Sequence, residues 1–442
     1  MKRTLTVLAV FALIAGACTA GGGDQQSPPP TVNPSESHAP VTIEIWGAWT
    51  GRELRQFNSI FENFTAKYPW ITVKSTGGIG DQKIIQAINS GTPPDAVLSF
   101  GLDNVGKFCE SGGWQDLTPF MTQTNFDMSQ FPDSVTQYTS YGGSQCALPF
   151  LTDAYGLYYN QDMFDAAGIT APPKTTSELI DVAKKLTVFN PDGSIKVAGL
   201  VPWSGYYETN PLTLSTPFGC PWYNADGSES AFTDPCWADL FDWQKQLIDF
   251  YGQENLQKFV AGQGNEWSSE QDFQTGRVAM NIDGEWRTAF IADGTPDLNY
   301  GTAPLPVPDD AADTYGVGQV GGTIIGIPRG SPHPAEAWLL VSWMATDTPT
   351  LVFMANFVRN VPTTFAALES PDLDVTPQFQ TFLDIFANPA SHYKPTTAIG
   401  DGDQTAIGQQ LADWQAGKLA NVQEGLQQAA DEVNNLLAEA QV

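Results

Sequence analysis

Positive charge is what this chain has least of. Lys and Arg total 20 against 49 Asp and Glu, a formal net charge of −29 at pH 7. No basic surface exists to displace counterions from phosphates, which excludes nucleic acid as a partner and argues against anionic lipid headgroups. Only three His are present, so a His-rich metal site is not expected. No Gly-x-Ser-x-Gly elbow occurs, which removes the commonest nucleophile signature, and no internal repeat is evident. Charged residues make up 16% and hydrophobic residues 42%, so a packed core can form. Across 442 residues that means two or three domains. What the chain does have is aromatics: 12% overall, with 13 Trp. Flat rings on an acidic, polar chain point to recognition of a neutral ligand with an apolar face.

The N-terminus reads as an address. Lys2 and Arg3 precede the apolar run Leu5 to Ala15, then Gly16-Ala17-Cys18. Charged, apolar, then small residues is the order of a secretory signal, and the run is too short to span a bilayer. The Cys at the cleavage point resembles a bacterial lipobox, with Ala15 where Leu is usual. Residues 1–17 are therefore expected to be removed, leaving a lipidated Cys18. The segment 18–40, beginning with the stretch TAGGGDQQSPPP after Cys18, is rich in Gly, Pro and Ser and reads as a flexible tether. The implied location is the outer face of the cytoplasmic membrane. Four cysteines remain: Cys109, Cys146, Cys220 and Cys236. An even number in an exported chain suggests two disulfides, most locally Cys109–Cys146 and Cys220–Cys236, with free buried thiols as the alternative.

From Val41 the pattern becomes regular. Val41–Trp46 alternates like a strand, and Arg52–Lys67 carries Leu54, Phe57, Phe61 and Phe64 at helical spacing. Ile71–Lys74 is a second strand, and Asp81 is placed to cap a helix bearing Ile84, Ile85 and Ile88 that Gly91 ends. Ala96–Phe100 is a third strand. This β-α-β-α-β opening predicts an α/β fold with a parallel sheet, in which ligands bind beyond the carboxyl ends of the strands. The loops at Trp46–Gly51 and Phe100–Asp103 lie there. Further along, the spacing predicts a strand at Gly156–Tyr159 and helices at Asp162–Ala167 and Thr176–Thr187. An irregular aromatic stretch over 200–238 comes next, with an amphipathic helix at Phe241–Phe250. Strands at Arg277–Ile282, Tyr300–Leu305 and Thr323–Ile327 and helices at Pro334–Met344 and Asn421–Ala440 complete the pattern. Tyr158 and Tyr159 point to opposite faces of their strand and are assigned to packing rather than to a ligand.

Five segments in order, AINSGTPPDAVLSF (87–100), LPFLTDAYGLYYNQDMFDAAGITAPPKT (148–175), FQTGRVAMNIDGEWRTAFI (273–291), YGTAPLPVP (300–308) and GGTIIGIPRGSPHPAEAWLLVSWMA (321–345), together resemble one family. It is the carbohydrate-binding, maltose-binding-protein-like group of extracellular solute-binding proteins of bacterial ABC importers. The resemblance implies a two-lobe periplasmic-binding fold of type II, each lobe a mostly parallel sheet flanked by helices, joined by three hinge crossings. The lobes would comprise 41–150 with 305–350, and 151–304 with 351–442. It further implies a non-enzymatic monomer that captures a sugar between the lobes, closes, and engages a membrane permease, with no cofactor.

A sugar offers an apolar C–H face and a rim of hydroxyls, so its site needs aromatic platforms together with carboxylates, amides, Arg or backbone groups. Trp286 matches the family's stacking tryptophan, and Asp153 its hinge-proximal carboxylate. Trp46 and Trp49 flank the first strand end, one to stack and one to pack; Phe100 and Asp103 share the third. Trp203, Tyr206, Tyr207 and Glu208 lie where the family's second lobe contributes contacts, and His392 and Tyr393 match a distal aromatic pair. Gly321 and Gly322 would let backbone N–H groups approach, and Arg287 and Arg359 could donate forked hydrogen bonds. Two rival readings are a glycerol-phosphate or other anion receptor, which wants clustered cations, and a secreted glycoside hydrolase, which wants a carboxylate pair at fixed separation.

Overall fold

The computed structural model describes residues 30–440. The expected signal segment, Cys18 and most of the expected tether lie outside that range. Within it, eight strands form one mixed sheet: β1 Val41–Trp46, β2 Ile71–Thr76, β3 Ala96–Ser99, β4 Leu148–Asn160, β5 Met280–Gly284, β6 Tyr300–Ala303, β7 Val320–Gly326 and β8 Val361–Pro362.

The opening β-α-β-α-β unit forms as the sequence predicts. β1 runs parallel to both β2 and β3. The Gly51–Lys67 helix between β1 and β2 buries Phe57, Ile60, Phe61 and Phe64. Burying each of these side chains stabilises the fold by about 1.5–3 kcal/mol relative to exposure. The Asp81–Ser90 helix stops at Gly91, whose φ of 73° lets the chain turn left-handed. Asp81 is not its cap, however. Gly80 holds that position, while the Asp81 carboxylate accepts from Ser99 Oγ (2.6 Å) and Asn104 Nδ2 (2.8 Å).

Parallel pairing is confined to this opening unit; every other ladder of the large sheet is antiparallel. All but one of those antiparallel ladders use β4, a 13-residue strand that serves both lobes. Residues Leu148–Ala154 pair antiparallel with β7, which in turn lies antiparallel to β3, and Leu151 and Thr152 pair with β8. Residues Tyr155–Asn160 pair antiparallel with β5 and β6. The change of partners falls between Ala154 and Tyr155, inside one strand.

Helices cover both halves. Thr176–Leu186 begins with a capping box in which the Thr175 side chain accepts from Glu178 N and the Glu178 carboxylate returns to the Thr175 backbone. The stretch over 200–238 is less irregular than its composition suggests. Pro211–Phe218 is a helix, started by Asn210 Oδ1 accepting from Thr213 N at 2.9 Å, with Pro211 in the first turn. The Val422–Ala440 helix buries Val422, Leu426, Ala429, Ala430, Val433 and Leu437. It packs on the Gly402–Gln415 and Pro235–Tyr251 helices.

Both local disulfides form, Cys109–Cys146 and Cys220–Cys236. Residues 31–38, placed in the tether by composition, lie on the body: Val32 packs against the core and the His38 ring stacks on Trp70 at 4.3 Å. Among the described residues no helix is long and apolar enough to cross a membrane.

Candidate ligand-binding cleft

A cavity of about 790 Å³ opens between the lobes. One wall is the loop after β1 and the first turn of its helix (Trp49 to Glu53), with Phe100, Leu102 and Asp103 after β3. The facing wall carries Glu208, Leu212, Trp267, Trp286 and Phe290. The floor is Asp153 and Tyr155 of β4, Gly321 to Thr323 of β7, and Asn360 just before β8. The site thus lies at the carboxyl ends of β1 and β3 and over the point where β4 changes partners.

Trp286 sits at the N-terminal end of the Arg287–Gly294 helix, half-buried, with its indole Nε1 free of any partner among the described residues. The ring meets Tyr155 edge-on at 5.5 Å and leans toward Trp267 at 6.4 Å. Gly284 makes this placement possible: a Cβ there would come within 2.1 Å of the indole. Trp267 is 59% exposed, an unusual state for so large an apolar surface. On the opposite wall Trp49 is buried against Phe57 and Phe150 and presents an edge to Phe100, which is 48% exposed.

The polar floor is built from acids. Asp153 is hydrogen-bonded to Asn360 and to Glu285. Glu285 is fully buried, accepting from Ala154 N (2.8 Å) and Asn360 Nδ2 (2.8 Å). Burial pushes the Asp153 carboxyl up to about 7, and burial together with the Asp153 charge raises Glu285 well above the usual carboxylate range. A second carboxyl pair is raised as well: burial and the Asp283 charge push Glu266 up to about 7, and burial with the Glu266 and Asp283 charges raises Glu208. Beneath them Arg287 is fully buried, its Nε donating to Asp283 (2.7 Å) and its Nη1 to the Glu266 carbonyl (2.7 Å). Gln319 Oε1 is buried at the cleft without a donor among the described residues.

The elevated carboxyls fix a pH dependence. A carboxyl raised on folding contributes stability that is complete below its unfolded value near ~4 and is lost as pH rises through about 7. Thermal melts of the empty protein from about pH 8 down to about pH 5 should show a rising midpoint, and Glu266→Gln should flatten that slope. An unchanged slope would assign the effect elsewhere.

Trp49, Phe100, Asp103, Asp153, Glu208, Trp286, Gly321, Gly322 and Tyr393 are brought together on the lining. Asp103 is already engaged, by the Lys394 ammonium at 2.7 Å and by Gln404. Gly322 has a φ of 141°, and a Cβ would lie 2.4 Å from the Leu151 carbonyl, so β4 itself demands that glycine.

The remaining expected residues lie off the lining. Trp46 is on β1 with the Lys83 ammonium 5.7 Å from its ring centroid. Trp203 packs against the core. Tyr206 is buried, its hydroxyl donating to Asp272 Oδ2 at 2.5 Å, and the Tyr207 hydroxyl accepts from Asp272 N at 3.0 Å. Arg287 is a buried counter-ion rather than a donor to the cleft. Arg359 ends its helix at φ 63°, which turns its guanidinium out to Asp374 and sends the next residue, Asn360, inward. The exposed His392 satisfies its Nδ1 on the Ala390 carbonyl at 2.8 Å.

The profile of the bacterial extracellular solute-binding proteins matches residues 48–350. The chain belongs to this family. Among curated solute-binding relatives, the maltodextrin-binding protein of Bacillus subtilis is 23% identical over 291 residues, 64% of each chain. The sn-glycerol-3-phosphate-binding periplasmic protein of Rhizobium meliloti is 23% identical over 290 residues, 61% of this chain and 63% of that one. A solved structure with mannotriose bound superposes with a TM-score of 0.81 at 26% identity, covering 89% of this chain and 99% of that one.

As a solute-binding protein, the chain has cleft residues that sequence reasoning missed. Tyr155, Trp267, Phe290, Gln319 and Asn360 all line it, as do Arg52 and Glu53. Trp267 had one sequence signal, a tryptophan stranded in the polar run Gln263-Gly-Asn-Glu-Trp-Ser-Ser with no apolar periodicity around it. Arg52 ties the two walls: its Nε pairs with Asp293 at 2.7 Å, and its guanidinium lies 4.2 Å from the Phe357 ring centroid.

Proposed function

We propose that this solute-binding protein captures a neutral oligosaccharide in the interlobe cleft and presents it to the membrane subunits of an importer. The carrying observation is the composition of the lining: exposed aromatic rings on both walls (Phe100, backed by Trp49, on one; Trp267 and Trp286 on the other) above a floor of carboxyls and amides. Sugar rings offer C–H faces to the first and hydroxyls to the second. Trp286 Nε1 and Gln319 Oε1 are a donor and an acceptor without partners among the described residues, as hydroxyl recognition requires. The maltodextrin-binding and mannotriose-bound relatives support the same class.

A phosphate ligand is disfavoured by the same lining. Its one guanidinium, on Arg52, is already paired with Asp293, and the lining residues include no other cation to bind a phosphate. Thermal-shift titration with mannose- and glucose-based oligosaccharides should raise the melting midpoint, whereas glycerol 3-phosphate should not. A shift with glycerol 3-phosphate alone would overturn the assignment, and release of new reducing ends would replace binding by hydrolysis. The proposal includes lobes divided near 150, 305 and 350, a monomer, and anchoring through a lipidated Cys18. Cys18→Ala should release the protein from the membrane fraction.

A further inference from the structure

A second cavity, of about 480 Å³, adjoins the cleft and shares Ala48 and Phe100 with it. It is lined by the glycine-rich loop after β2, the start of the Asp81–Ser90 helix, and side chains of the Asn104–Glu110 helix and the Asp401 turn. We infer that this cavity extends the ligand site, so that the bound saccharide has more than two units and passes over the Phe100 ring from one cavity into the other. The inference rests on the oligosaccharide reading above.

Three observations carry it. Phe100 is the aromatic side chain common to both cavities and is nearly half exposed, with Trp49 against it edge-on, so a passing sugar ring can lay a C–H face on it. The polar lining suits a neutral, hydroxyl-bearing ligand: Lys83 and Lys107 are matched by Asp81 and Asp401, leaving no net charge. Of these, Asp81 is fixed in place by Ser99 and Asn104. Lys107 Nζ and the Asp401 carboxylate have no ion pair or hydrogen bond among the described residues, so a donor and an acceptor stand available at the cavity rim. The loop is also open by construction. Gly80 has an ordinary φ of −90°, and a Cβ there would meet nothing within 4 Å.

That last feature supplies the test. Gly80→Trp puts a bulky side chain at a position that lines the second cavity and not the first, and Lys107→Ala and Asp401→Ala remove its free polar groups. Calorimetric titration of wild type and the three variants should use manno- and malto-oligosaccharides of two, three and four units. For the series that binds, wild-type affinity should rise by about tenfold or more from two units to four. Gly80→Trp should abolish that rise, and the alanine variants should reduce it, while two-unit binding is retained in all. Retained two-unit affinity also reports that each variant is folded. Equal wild-type affinity across lengths, or a rise that survives Gly80→Trp, overturns the extension and leaves the oligosaccharide reading intact. No binding of any saccharide by wild type overturns both.

Discussion

Trp286→Ala is expected to weaken saccharide binding roughly thirty- to several-hundred-fold, equivalent to about 2–4 kcal/mol, the range for a tryptophan anchor in a desolvated pocket. The empty protein should melt within a few degrees of wild type. The indole is only half-buried, packs edge-on against Tyr155, and leaves its Nε1 unsatisfied, so the fold gains little from it. Gly284→Ala should imitate the loss from a distance, because a methyl group 2.1 Å from the indole must push the ring out of place. Calorimetry on both variants, with melts of the empty forms, checks the claim. An equal loss of affinity and of melting temperature would make Trp286 a core residue and remove the main platform of the cleft.

Arg287→Met should instead cost stability, by about 3–5 kcal/mol, the range for breaking a buried ion pair from one side. Arg287 and Asp283 are both fully buried and 2.7 Å apart, and the guanidinium also moderates the Glu208–Glu266 pair above it. Without it, Asp283 must take up a proton or remain as an unmatched charge in a low-dielectric interior. The double variant Arg287→Met/Asp283→Leu removes both charges and should recover much of the loss. Chemical denaturation of the two variants decides the matter: if the single change costs less than the double, the pair is not what holds this region together.

Local pattern carried the fold furthest where one helix face or one strand decides the structure. Phe57, Phe61 and Phe64 share a face because helical spacing puts them there, and they are buried in the Gly51–Lys67 helix. The Pro211–Phe218 helix escaped detection because it is buried nearly all round, so its residues show no polar face to set a period. The cleft followed the same rule. Trp49, Phe100 and Asp103 sit at strand ends that topology alone marks, and Trp286 and Asp153 lie within the family's motifs. Asn360 could not be read, because its inward course depends on the left-handed backbone of Arg359, a non-glycine residue. Tyr206 and Tyr207 misled for a related reason: an aromatic pair beside an acid looks the same on paper whether it faces solvent or, as here, a buried Asp272.

The two halves of this molecule are joined by a beam as well as by loops. β4 runs unbroken for 13 residues, about 43 Å of extended backbone, and hands over its hydrogen-bonding neighbours midway. Any change of angle between the halves has to be absorbed as torsion spread along that backbone, or as shear where Ala154 is pinned by the Glu285 carboxylate. A twisted strand resists in proportion to its deflection, so a continuous β4 would oppose wide gaping more than a slack connector and would favour return of the same two surfaces to one register.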